Sequence, residues 1–214
     1  MPHRLSSSSS SNSSSNSSSM PRIFKITRPL FKHRYDARPN DGAASLYVRT
    51  RPLTNKLPDL ALHSGPDETF PIVAVCHMPH FSLNYKIGLG DPSAAHDAVR
   101  WEDMIKANLP GTWHTWAMDL MNPGGDITRR QFVWKHTRKV AVEGMKTSGL
   151  SPRNWKLLED VDGEGKGEGD VLAVFTADLS RGRAGALQVN VDFGRGWENM
   201  VLITCLALYE RSRR

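Results

Sequence analysis

The chain has 214 residues, of which 39% are hydrophobic and 23% charged, and it carries a net charge of +6. This composition reads as globular rather than disordered or fibrous, and the length suits a single domain. Two cysteines are too few for a disulfide-stapled secreted scaffold, and the longest apolar run, Met200 to Tyr209, is about half of the roughly 20 residues needed to cross a membrane.

Residues 6–19 are only serine and asparagine. Such a tract buries too little apolar surface to offset its ordering entropy, so a disordered tail is expected over residues 1–19, ahead of one domain over 20–214. The N-terminus offers Arg4 but no apolar core segment, so no signal peptide is expected. The default reading is a monomeric, intracellular, cytoplasmic protein. Arg4 supplies one unit of charge and the domain the remaining +5.

From Pro21 the chain becomes a series of short β-like runs separated by turn residues. In order they are Phe24 to Thr27, Arg34 to Arg38, Ser45 to Arg51, Asp59 to His63, Ile72 to Cys76 and Asn84 to Leu89. Val99 to Met104, Thr112 to Leu120, Arg130 to Thr137, Asn154 to Val161, Val171 to Asp178 and Gly185 to Val191 complete about twelve strands. Several alternate with period two. Leu187, Val189 and Val191 oppose Gln188, Asn190 and Asp192, while Phe132 and Trp134 oppose Gln131 and Lys135. One face buried and one wet marks antiparallel sheet. Cys76 and Cys205 lie in apolar runs and read as buried, reduced thiols.

The last segment differs. A helix is predicted over about 197–212, with Gly194 and Gly196 before it, Glu198 in its first turn and arginines in its last. Its middle is apolar on every side. A helix with no polar face must be buried all round or in a membrane, and this one is too short for a membrane. The fold expected is therefore mainly β: about twelve antiparallel strands in one domain, with a short apolar C-terminal helix packed inside it. A strand over Met200 to Tyr209 stays open, because Val201, Ile203 and Thr204 are β-branched.

A dozen antiparallel strands followed by one all-apolar C-terminal helix resembles the tubby C-terminal-like superfamily: the tubby domain, the phospholipid scramblases and the LURP-one-related proteins. Gly185-Ala-Leu-Gln-Val-Asn-Val-Asp-Phe193, then Trp197-Glu-Asn and Met200 to Tyr209, is similar to their strand-then-helix ending. Val171 to Thr176 is similar to the strand before it. The overall order is similar to small fungal members. The resemblance implies a mainly β fold, a closed antiparallel barrel of about twelve strands around a buried C-terminal helix, and, for some members, phosphoinositide binding. No cysteine-rich lipidation cluster, membrane-spanning C-terminal helix or tubby-type phosphoinositide-binding stretch is found, so lipid binding is implied by the superfamily alone.

Three short motifs hold residue types that bind metals or phosphates. Cys76-His77-x-x-His80 has metal-ligand residue types but no second cluster at a zinc spacing, so no metal is expected. Asp160-x-Asp162-x-Glu164-Gly165 begins like a calcium loop, yet its twelfth position is Val171 rather than glutamate. Gly88-Leu-Gly90-Asp91-Pro92 follows a strand but opens no helix, so it reads as a turn. No nucleophile elbow, Cys–His pair or paired carboxylates stand out, and neither an enzyme nor a cofactor is expected.

The basic residues remain. Arg129, Arg130, Lys135, Arg138 and Lys139 occupy one strand and its exit, and Lys32, His33 and Arg34 form a second group. Outward cations on a barrel suit phosphorylated headgroups, at about 1 kcal/mol per Lys or Arg near an anionic membrane, or merely solvate a strand face. The leading functional expectation is a non-enzymatic module binding anionic phospholipid or phosphoinositide headgroups, or a protein partner, peripheral at a membrane. A lipocalin-like carrier of a small apolar ligand and a nucleic-acid binder are the alternatives. The latter would stack bases on the aromatics between Phe132 and Lys139.

Overall fold

A computed structural model describes residues 20–51, 57–79, 81–94, 99–107, 113–147, 151–163, 167 and 169–213. The Ser/Asn tract expected to be disordered lies outside these residues. The strands are β1 (Arg22–Thr27), β2 (Arg34–Pro39), β3 (Leu46–Thr50), β4 (Leu60–His63), β5 (Ile72–His77) and β6 (Tyr85–Leu89). They continue as β7 (Arg100–Lys106), β8 (His114–Met121), β9 (Ile127–His136), β10 (Trp155–Glu159), β11 (Ala173–Ala177) and β12 (Arg183–Val189). One helix, α1 (Arg195–Arg211), ends the chain. The twelve strands fall on the twelve predicted runs, and the helix falls where its apolar middle placed it.

Each strand pairs antiparallel with its sequence neighbours, and β1 also pairs with β12, Phe24 opposite Leu187. The sheet therefore closes into an up-and-down barrel with no unpaired edge. Alternation decides what faces the lumen. On β1, Phe24 and Ile26 are buried while Lys25 and Thr27 are exposed. On β8, His114, Trp116, Met118 and Leu120 are buried, and the residues between them are not.

Eight strands make a barrel that side chains alone can fill, so twelve enclose too wide a lumen and something else must occupy it. The helix does so. Every residue from Asn199 to Glu210 is buried, and the inward side chains of all twelve strands join the helix in one hydrophobic cluster. Each fully buried Leu, Ile, Val or Met contributes about 1.5–3 kcal/mol of transfer free energy. The helix lies off-centre, closest to β4, β5 and β6. There the inward residues include the small Ala74 and Cys76, while Trp116, Phe132, Trp134 and Trp155 fill the far side. The helix hydroxyl of Thr204 accepts a hydrogen bond from Trp134 Nε1 at 3.0 Å and donates to the Met200 carbonyl. An interior indole is thereby satisfied, as burial requires.

A second, smaller cluster lies outside the barrel. The β9–β10 connection leaves its end and packs Val140, Val142 and Met145 on Ile23, Val174 and Ala186. It is pinned by the Val142 N–H on Thr176 Oγ1 and the Glu143 N–H on Gln188 Oε1. Among the described residues, no helix is long and apolar enough to cross a membrane.

Candidate functional site

Up-and-down topology sends alternate connections to opposite ends of the barrel. The loops after β2, β4, β6, β8, β10 and β12 gather where the helix begins. The loops after β1, β3, β5, β7, β9 and β11 gather where it finishes.

Charge follows this division. Each loop at the helix-start end holds a carboxylate: Asp41, Asp67, Asp91, Asp126, Asp162 and Asp192 in turn. The described residues of those six loops include no lysine or arginine. The other end is basic. Arg28 and Lys32 follow β1, Arg51 follows β3, and Arg138 and Lys139 follow β9. Arg181 lies between β11 and β12, and Arg153, Arg211 and Arg213 stand nearby. The few carboxylates there are engaged or displaced. Asp59 is buried and accepts the Met78 N–H at 2.8 Å, Asp178 pairs with Arg183 at 3.2 Å, and Glu143 is carried down the wall by its loop.

The floor of the basic end is the helix exit. The Tyr35 hydroxyl donates to Glu210 Oε2, and Arg213 lies 3.9 Å from the same carboxylate. Burial first, and then the negative charge of Glu210, push the Tyr35 hydroxyl well above its ordinary pKa, so it stays a proton donor. Arg28 lies over the Tyr35 ring at 5.7 Å and Arg211 over Tyr85 at 5.2 Å, while Arg211 donates to the Pro79 carbonyl at 3.0 Å. These contacts fix the inner cations. Lys32, Arg138, Lys139 and Arg181 form the outer set: all are exposed, and none is ion-paired with a described residue.

The residues singled out from sequence therefore separate. Arg129 and Arg130 start β9 at the acidic end. Arg129 binds Glu102 through both terminal nitrogens and lies 3.4 Å from Asp119, beside Arg100, so two cations face two anions. Hydrogen bonds to Glu102 raise its pKa further above the ordinary guanidinium value. Arg130 makes a two-pronged pair with Glu159 over the Phe193 ring. Lys135 donates to the Gly167 carbonyl at 3.0 Å over the Trp113 ring. Arg34 pairs with Asp36 at 3.4 Å and lies over Tyr47. Of the seven, Lys32, Arg138 and Lys139 are the exposed cations with no ion pair to a described residue. Sequence reading missed Arg28, Arg51 and Arg181, which join them only through the alternation of loops.

Two alternatives meet geometric obstacles. The lumen that a carrier would need is filled by α1, and Phe132 and Trp134 are fully buried, so bases cannot stack on them. A cleft of about 700 Å³ does open at the acidic end, but its Arg22 is bound between Asp41 and Glu198. Among the described residues, no group of three or more His, Cys, Asp or Glu could hold a metal ion. His80, Glu164 and Gly165 of the two metal-like motifs lie outside the described residues. No protein-family model, curated protein or solved structure matches the chain.

Proposed function

We propose that this chain is a non-enzymatic binding module of the tubby-like kind, whose basic end engages anionic phospholipid headgroups at a membrane surface. The separation of charge between the two ends carries this reading. A net charge of +5 spread evenly would say little, but loops rich in lysine and arginine at one end, against described loops at the other that hold carboxylates and no lysine or arginine, create an oriented field. Each Lys or Arg held near an anionic bilayer contributes about 1 kcal/mol. The barrel supplies rigidity, and the loops supply the contacts. The proposed surface is the cytoplasmic leaflet, where anionic lipids are concentrated.

Co-sedimentation with vesicles tests the proposal. Wild-type protein should pellet with phosphatidylcholine vesicles containing about 30% phosphatidylserine, and not with phosphatidylcholine alone. Replacing Lys32, Arg138 and Lys139 together by glutamate should abolish pelleting. Melting should change little, because none of the three is ion-paired with a described residue. Wild-type protein that ignores anionic vesicles at low salt would refute the reading and favour an acidic protein partner.

A further inference from the structure

The basic end carries apolar tips as well as cations. Phe31 is 99% exposed at the turn after β1, beside Leu30 and Lys32. Phe81 and Leu83 are exposed after β5, and Leu179 is exposed between β11 and β12, next to Ser180 and Arg181. Isolated exposed apolar residues are ordinary. Phe31 is not, because its φ is 60°, the only positive φ of a non-glycine residue among the described residues. That conformation is costly for a bulky side chain, and here it directs the ring away from the core that would repay the cost. The chain thus spends backbone strain to hold an aromatic ring in water.

The acidic end also exposes apolar side chains, Met121, Ile127 and Val161. They stand among carboxylates that an anionic surface repels. At the helix-start end Arg195 is an exposed cation, near Met20 and beside Asp41, Asp192 and Glu198. At the basic end Lys32, Arg138, Lys139 and Arg181 stand with the apolar tips and pair with no described carboxylate, and that combination is what a phospholipid interface accepts: cations at the phosphates, aromatic and aliphatic groups at the acyl boundary.

We infer that Leu30, Phe31, Phe81, Leu83 and Leu179 insert into the bilayer interface, with the helix-finish end facing the membrane and the acidic end facing away. This rests on the membrane reading above and adds a mode of attachment to it. A charge-only contact would need no apolar tips and would be released by salt. An inserted one retains an apolar contribution that salt does not screen.

Cys76 and Cys205 are fully buried, so an introduced exposed cysteine can be labelled selectively. Phe31→Cys and Leu179→Cys, each carrying an environment-sensitive fluorophore, are mixed with vesicles containing about 30% phosphatidylserine. Their emission should shift to the blue, while that of labelled Glu68→Cys at the acidic end stays unchanged. In parallel, unlabelled Phe31→Ser/Leu83→Ser protein should partition about tenfold more weakly than wild type. At about 1 M NaCl, where the screening length is about 3 Å, wild type should retain measurable binding and the double variant should lose it. Vesicle binding without a blue shift at either site, or complete release of wild type by salt, overturns insertion and leaves the electrostatic reading standing. No binding of wild type at low salt overturns both. A blue shift at position 68 would reverse the orientation and overturn the inference.

Discussion

His114 sits in the lumen between the rings of Tyr85 and Trp155, with centroids 5.5 and 6.5 Å away. Its Nδ1 is buried and has no hydrogen-bond partner among the described residues, so a second proton there would find no acceptor. Desolvation lowers its pKa from 6.5 to about 4. An unfolded chain binds this proton below about pH 6.5, while the native state resists it down to about pH 4. Stability is therefore full above about pH 6.5 and falls as the pH drops toward 4, with about 3 kcal/mol attached to this residue. Urea unfolding of wild type at pH 7 and pH 5 should show a loss that His114→Phe largely removes. An equal loss in both proteins would place the acid sensitivity elsewhere. The same scale shows why Arg129 and Arg130 look like a binding patch in sequence. Their partners, Glu102 and Glu159, lie 27 and 29 residues away, and only strand pairing brings the charges together.

Gly185 sets the geometry of β12, where the pairing with β1 shifts register between Ile26 and Thr27. Its φ is 147°, and a Cβ there would stand 2.2 Å from the Thr176 carbonyl oxygen of β11. Gly182, in the preceding turn, has φ 79° and open space around it. The pair separates two costs. Gly182→Ala should lose only about 1–2 kcal/mol of left-handed strain, whereas Gly185→Ala adds a backbone collision and should lose about 3 kcal/mol or more. Urea midpoints of the two variants measure the difference, and equal values would show that β12 can shift away from β11. The strands themselves were legible because alternation reports one wet face and one dry face, as Leu187, Gln188 and Val189 illustrate. The helix was legible because it has no wet face. Closure through Phe24 and Leu187 spans nearly the whole domain and leaves no local mark, so it was expected only from the superfamily resemblance. The packing of Val140, Val142 and Met145 on the outer wall was equally hidden, because those residues follow no period.

Over the whole molecule, position matters more than total charge. Once an up-and-down barrel is accepted, loop parity assigns every charge to an end, so the polarity was available from the sequence, but only through the fold. A helix of 17 residues spans about 25 Å, about three screening lengths at physiological salt, so charges at one end act weakly at the other. Two variants with the same net charge test this. Lys32→Gln/Lys139→Gln removes two cations from the basic end. Ala43→Asp/Ala94→Asp adds two carboxylates to exposed positions at the acidic end. If the basic end docks, the first pair should weaken binding to anionic vesicles by about 2 kcal/mol, roughly thirtyfold, and the second should leave it within about twofold of wild type. Global attraction would instead weaken both alike, since each variant lowers the net charge by two. Equal losses would therefore assign binding to total charge and remove the case for an oriented contact. A loss confined to the first pair would fix the face of the barrel that meets the membrane, whatever the headgroup.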